Sequence, residues 1–97
     1  MAANDVETSK LVEVCRAHDA AMVGIFGSYA RGEATAESDV DVLVRFRRPK
    51  SLIAIVRLER ELTEILGRKV DLLTEASLSP YLRPGIIRDL RVLYEAG

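Results

Sequence analysis

The stretch GSYARGEATAESDVDVLV, Gly27 to Val44, decides how this chain folds. Its glycine–serine pair closes one apolar run, AAMVGIF (Ala20–Phe26), and Asp39 and Asp41 open a second that continues to Phe46. Short apolar runs bounded by turn residues read as buried strands. Within a strand, residues i and i+2 share a face, so Asp39 and Asp41 project together. Two neighbouring carboxylates repel, and each resists ionising beside the other. The pair therefore either sits at a solvated strand edge or meets a neutralising partner. A hard divalent cation such as magnesium or manganese suits oxygen donors of this kind.

Outward from that stretch, residues 5–18 read as a helix that Asp5 can cap, with Leu11, Val14 and Cys15 on one side. SYARG forms the first turns of another helix, EATAES suits a loop, and RRPK breaks the second strand. Ser51 to Leu66 is the strongest helix. Leu52, Ile55, Leu58, Leu62 and Ile65 recur at helical spacing and are expected to form its core-facing side; Ser51 can cap it and Gly67 can stop it. KVDLLT (Lys69–Thr74) reads as a third strand. Pro80 and Pro84 punctuate a loop before a short helix near Gly85–Leu90, and RVLYE can close the sheet as a last strand. The expected fold is α/β (α+β): one domain over residues 1–97, a single small mixed β-sheet packed with helices.

Composition excludes several classes. Fourteen basic and fifteen acidic residues leave a net charge of −1, which argues against a chain that coats nucleic acid or an anionic membrane; no direct nucleic-acid binding is expected. The sequence has no apolar run long enough to cross a bilayer and no signal peptide. Cys15 is the single cysteine, so no internal disulfide can form, as suits a reducing cytoplasm. Cys15 reads as a small buried helix residue. His18 reads as a residue near a helix end, without metal-ligand spacing. Tyr29, Tyr81 and Tyr94 read as packing residues, and Arg45, Arg47, Arg48 and Lys50 as a solvated loop.

Two further features bear on chemistry. Asp71 lies inside the apolar KVDLL; if its strand lies beside the Asp39–Asp41 strand, three carboxylates converge. At Gly27–Ser28 a strand turns directly into a helix start, leaving free backbone N–H groups that favour anions. Ser28 can add a hydroxyl there and Arg31 a charge. Alternatively Ser28 is a plain helix cap and Arg31 faces solvent.

Gly27-Ser28, ten intervening residues, Asp39-x-Asp41 and the later strand carboxylate Asp71 resemble the nucleotidyltransferases of the DNA polymerase β superfamily. The flanking residues look most like the minimal nucleotidyltransferases (MNT), single-domain proteins of about this length. The resemblance implies the nucleotidyltransferase fold and transfer of a nucleoside monophosphate from ATP or another triphosphate to a hydroxyl. It implies that Asp39 and Asp41 bind two Mg2+ ions, that Gly27 and Ser28 hold the triphosphate, and that Asp71 serves the catalytic metal and the attacking hydroxyl.

Larger members of that superfamily carry a further domain for the acceptor, and 97 residues leave no room for one. The acceptor is then expected to meet an open site. MNT proteins typically act as antitoxins of HEPN ribonuclease toxins, so the resemblance implies a hetero-oligomer in which AMP is transferred from ATP to a toxin tyrosine. Two alternatives stand beside this: modification of a small-molecule hydroxyl, as in aminoglycoside nucleotidyltransferases, and a non-catalytic antitoxin that works by occlusion.

Overall fold

The computed structural model describes residues 8–96, so the predicted cap at Asp5 lies outside the described residues. The chain runs α1 (Thr8–Ala17), β1 (Ala20–Phe26), α2 (Gly27–Arg31), β2 (Val40–Phe46), α3 (Leu52–Leu66), β3 (Val70–Thr74), a 3-10 turn (Glu75–Ser77), α4 (Arg83–Asp89) and β4 (Arg91–Glu95). The four strands form one mixed sheet in the order β3-β2-β1-β4, in which β1 is antiparallel to β2 and β4 while β2 and β3 run parallel. The expected architecture is present, including the closing strand.

Strand β2 is the centre of the core. Val40, Val42, Leu43 and Val44 are all fully buried, because both faces of the sheet are covered. Val40, Val42 and Val44 pack with Leu11 and Cys15 of α1 and with Leu58 and Leu62 of α3. Leu43 points the other way, into a smaller cluster with Met22, Phe26 and Ile86 of α4. By the period of two, Asp41 lies on that second face.

Helix α3 starts and stops as its sequence predicts. Ser51 Oγ accepts the backbone N–H of Ala54 at 3.1 Å, and Gly67 takes the left-handed conformation at φ 68°. Its buried stripe is narrower than expected. Leu58 and Leu62 are buried, but Leu52 is 75% exposed and Ile65 39% exposed. These two lie at opposite margins of the stripe that faces the sheet, and Leu52 also sits in the first turn. Helix α4 begins at Arg83 rather than Gly85, with Pro84 in its first turn, where the missing N–H costs no helical hydrogen bond. Tyr29 and Tyr94 join the main core, whereas Tyr81 is 94% exposed and packs against nothing that would bury it.

The outer edge of β3 is sealed by α3. Glu59 Oε2 accepts the N–H of Leu72 at 2.8 Å, and Thr63 Oγ1 accepts that of Val70 at 3.0 Å. These bonds satisfy donors that an edge strand would otherwise present to solvent, and they hold the backbone on both sides of Asp71.

Other expectations resolve simply. Cys15 is fully buried, and burial, with Glu61 nearby, pushes its thiol up to about 12, so it is an inert core residue. His18 follows α1 with its Nε2 3.1 Å from Glu61 Oε1. In the basic segment, Arg45 pairs with Glu75 and Glu95, and Lys50 pairs with Asp19. Arg45 and Lys50 help line a hollow of about 350 Å3 at the C-terminal end of β2. No helix among the described residues is long and apolar enough to cross a membrane.

Candidate active site

The parallel pairing of β2 and β3 builds the site. Asp41 lies directly beside Asp71 in the register, one step beyond the Val40–Val70 pair. Just ahead of both strands, the N–H of Val40 donates to the carbonyl of Lys69 at 2.9 Å, which carries the same alignment back to Asp39 and Lys69. Side chains at matching positions of a parallel pair share a face. Asp39, Asp41, Lys69 and Asp71 therefore form a two-by-two array at one end of the sheet, on the α4 side.

Its electrostatics follow from that array. Partial burial raises the Asp41 carboxyl above its ordinary range; Asp71 and then Asp39 push it the same way, and Arg31 pulls it back. Asp71 and Asp39 thus both act on Asp41. The three carboxylates do not close into a ready ligand set, since no three acidic, histidine or cysteine side chains among the described residues are grouped tightly enough to hold an ion as they stand. Instead Lys69 Nζ lies 3.9 Å from both Asp39 Oδ2 and Asp71 Oδ1. An ammonium thus lies within ion-pair reach of two of the three carboxylates, and oxygen donors of this kind suit a positive, oxygen-seeking partner. The side chains of Asp39 and Asp71 remain 41% and 43% exposed, so the site is an open face.

Gly27 forms the opposing wall. Phe26 pairs with Asp41 across β1 and β2, which brings the next residue, Gly27, against the Asp41 side chain. Gly27 has φ 74°, and a Cβ built there would collide with Asp41 Oδ2. Both facts favour glycine. Helix α2 starts at this turn with no side-chain cap hydrogen bond, its N-cap being Phe26. Ser28 is therefore not the plain cap that the sequence allowed.

Arg31 is paired with two carboxylates. Its Nη1 donates to Asp89 Oδ2 at 2.7 Å and its Nε to Glu33 Oε1 at 2.9 Å, so it straps α2 to the end of α4. These partners raise its already high pKa. Its charge also pulls the Asp41 carboxyl down.

Two contributors escaped the sequence reading. Lys69 carried a signal, since it stands two residues before Asp71 and shares its face. Arg68 carried none: its Nη1 donates to the carbonyl of Ala36 at 3.0 Å and its guanidinium lies 5.8 Å from the Tyr29 ring centre, so it ties the loop before Asp39 to α2.

The model of the nucleotidyltransferase domain matches residues 9–93. A Methanocaldococcus jannaschii protein that bears the name of a protein adenylyltransferase is 44% identical over 80 residues, covering 82% of this chain and 86% of its own. The protein adenylyltransferase MntA of Thermococcus cleftensis is 43% identical over 68 residues, covering 70% of this chain and 69% of its own. A chain in a crystal structure of a toxin–antitoxin with AMP-PNP superimposes with a TM-score of 0.86 at 25% identity, covering 94% of this chain and 75% of its own. The chain described here belongs to the nucleotidyltransferase domain family.

Proposed function

We propose that this protein is a protein adenylyltransferase and antitoxin that transfers AMP from ATP to a tyrosine hydroxyl of a HEPN-type toxin. The observation that carries the reading is the array of Asp39, Asp41 and Asp71 facing the Gly27 turn. Such a site needs one wall that holds phosphates and one that holds cations. The names of the similar proteins, an adenylyltransferase called MntA and a toxin–antitoxin with AMP-PNP, support the choice of nucleotide and partner.

In this reading Asp39, Asp41 and Asp71 would hold Mg2+, and the Gly27 backbone with the Ser28 hydroxyl would hold the triphosphate. Bound Mg2+ would supply charge neutralisation at the phosphates and acidify the attacking hydroxyl. Asp71 takes the hydroxyl proton. The freed oxygen forms a bond to the α-phosphorus, and the bond to the β-phosphate oxygen breaks, releasing pyrophosphate. The openness of the site suits an acceptor that brings its own surface.

The test is intact-mass measurement of the toxin after incubation with this protein, ATP and Mg2+. A gain of one or more AMP groups that disappears with Asp41→Asn supports the reading. Neutralised toxicity with unchanged toxin mass would replace it with occlusion.

A further inference from the structure

We propose that Lys69 is a built-in counter-ion of the carboxylate array, which occupies the cation position in the metal-free protein and sets how readily a divalent ion enters. The inference rests on the metal-site reading above. The ammonium stands 3.9 Å from Asp39 and 3.9 Å from Asp71, bridging the strand that carries two of the acids to the strand that carries the third.

The position is built by the backbone. Lys69 precedes β3 by one residue, and its carbonyl is fixed by Val40, which follows Asp39. Val70, the next residue, is locked by Thr63. The root of the side chain is thus held while its head, 69% exposed, is free to swing into solvent. A flexible, strongly hydrated ammonium is suited to this exchange. It offsets the charge of Asp39 and Asp71 while no ion is bound, and it leaves when a doubly charged ion brings more charge to the same oxygens. Neither distance is that of a tight hydrogen bond, so departure is easy. Lys69 is in this sense a positioning residue, acting through the acids rather than on substrate.

The test is binding of Mn2+ alone, followed by loss of the free-ion EPR signal, to the wild type, Lys69→Met, Lys69→Arg, Asp41→Asn and Lys10→Met. Ion entry breaks the ammonium's attraction to its carboxylates; one unit-charge pair about 4 Å apart in a water-like medium is worth about five-fold, so Lys69→Met should tighten Mn2+ binding by at least about that much. Lys69→Arg should stay near wild type, and so should Lys10→Met, which removes the same charge from α1. Thermal denaturation in EDTA should show a lower Tm for Lys69→Met, and Mn2+ should raise its Tm by more than it raises that of the wild type. Mn2+ binding that is lost in Asp41→Asn but unchanged or weakened in Lys69→Met would overturn the role of Lys69 alone. Wild-type binding that survives in Asp41→Asn would overturn the metal-site reading and the Lys69 proposal with it.

Discussion

Gly27 sits against Asp41 Oδ2, where an added Cβ would force the carboxylate to shift, and its φ of 74° lies where L-residues are rare. Gly27→Ala therefore combines a left-handed backbone penalty with a collision at the candidate ligand. The backbone part alone is roughly 1–2 kcal/mol. Urea denaturation should show at least that loss, and AMP transfer should fall by more than the unfolded fraction explains, because Asp41 must move aside. Wild-type stability with wild-type transfer would mean that the wall between Gly27 and Asp41 is not as tight as described.

Asp41 makes the opposite prediction. Burial, Asp71 and Asp39 raise its pKa in the native state, so the folded protein keeps the Asp41 proton to a higher pH than the unfolded chain does. Stability then falls as pH rises from the ordinary carboxyl value through the raised one. Asp41→Asn removes that cost. Without metal it should raise the Tm at pH 7, and the gain should shrink towards pH 4. AMP transfer should be abolished. A destabilised Asp41→Asn at pH 7 would contradict the repulsion.

The sequence exposed these two residues because local rules govern them: a glycine at a strand-to-helix turn, and alternation along a strand. It exposed β2 because its apolar run is buried on both faces. Leu52 and Ile65 share the helical spacing of Leu58 and Leu62, and only the seating of α3 on the sheet separates core from margin. Lys69 and Asp71 are two apart in sequence, yet Lys69 matters because parallel pairing puts it beside Asp39, thirty positions away in the chain. Arg31 read as a free cation because its partner Asp89 arrives from the far end of the fold. Pairings between distant elements are fixed by tertiary packing, which periodicity does not encode.

Arg31 offers a separable test of strap against phosphate contact. Its pairs with Asp89 and Glu33 are partly exposed and screened by solvent, so Arg31→Ala and Asp89→Ala should each leave stability close to that of the wild type. The strap model predicts that the two substitutions affect the KM for ATP equally and slightly. A several-fold rise in KM confined to Arg31→Ala would show that the guanidinium leaves Asp89 to meet the nucleotide.

The margins of α3 can be checked by contrast. Leu62→Ala removes a fully buried side chain from the main core and should cost about 2–5 kcal/mol. Leu52→Ala, at 75% exposure, should cost less than about 0.5 kcal/mol in the isolated protein. A large loss at Leu52 in chemical denaturation would mean that this residue is covered in solution.

The seal on β3 ties stability to the site. Glu59→Ala leaves the Leu72 N–H without its side-chain acceptor at the sheet edge, and losing a hydrogen bond to a charged acceptor costs about 1.5–3 kcal/mol. Solvent can reach this edge, so the loss should lie at the lower end. Because Leu72 directly follows Asp71, amide hydrogen exchange at Leu72 should accelerate in Glu59→Ala. Transfer should fall while the fold persists, since Asp71 loses one of its two backbone anchors. Glu59→Gln, which keeps an acceptor oxygen at the same reach, should restore most of the protection and most of the activity. Unchanged exchange at Leu72 in the alanine variant would show that α3 does not hold this edge.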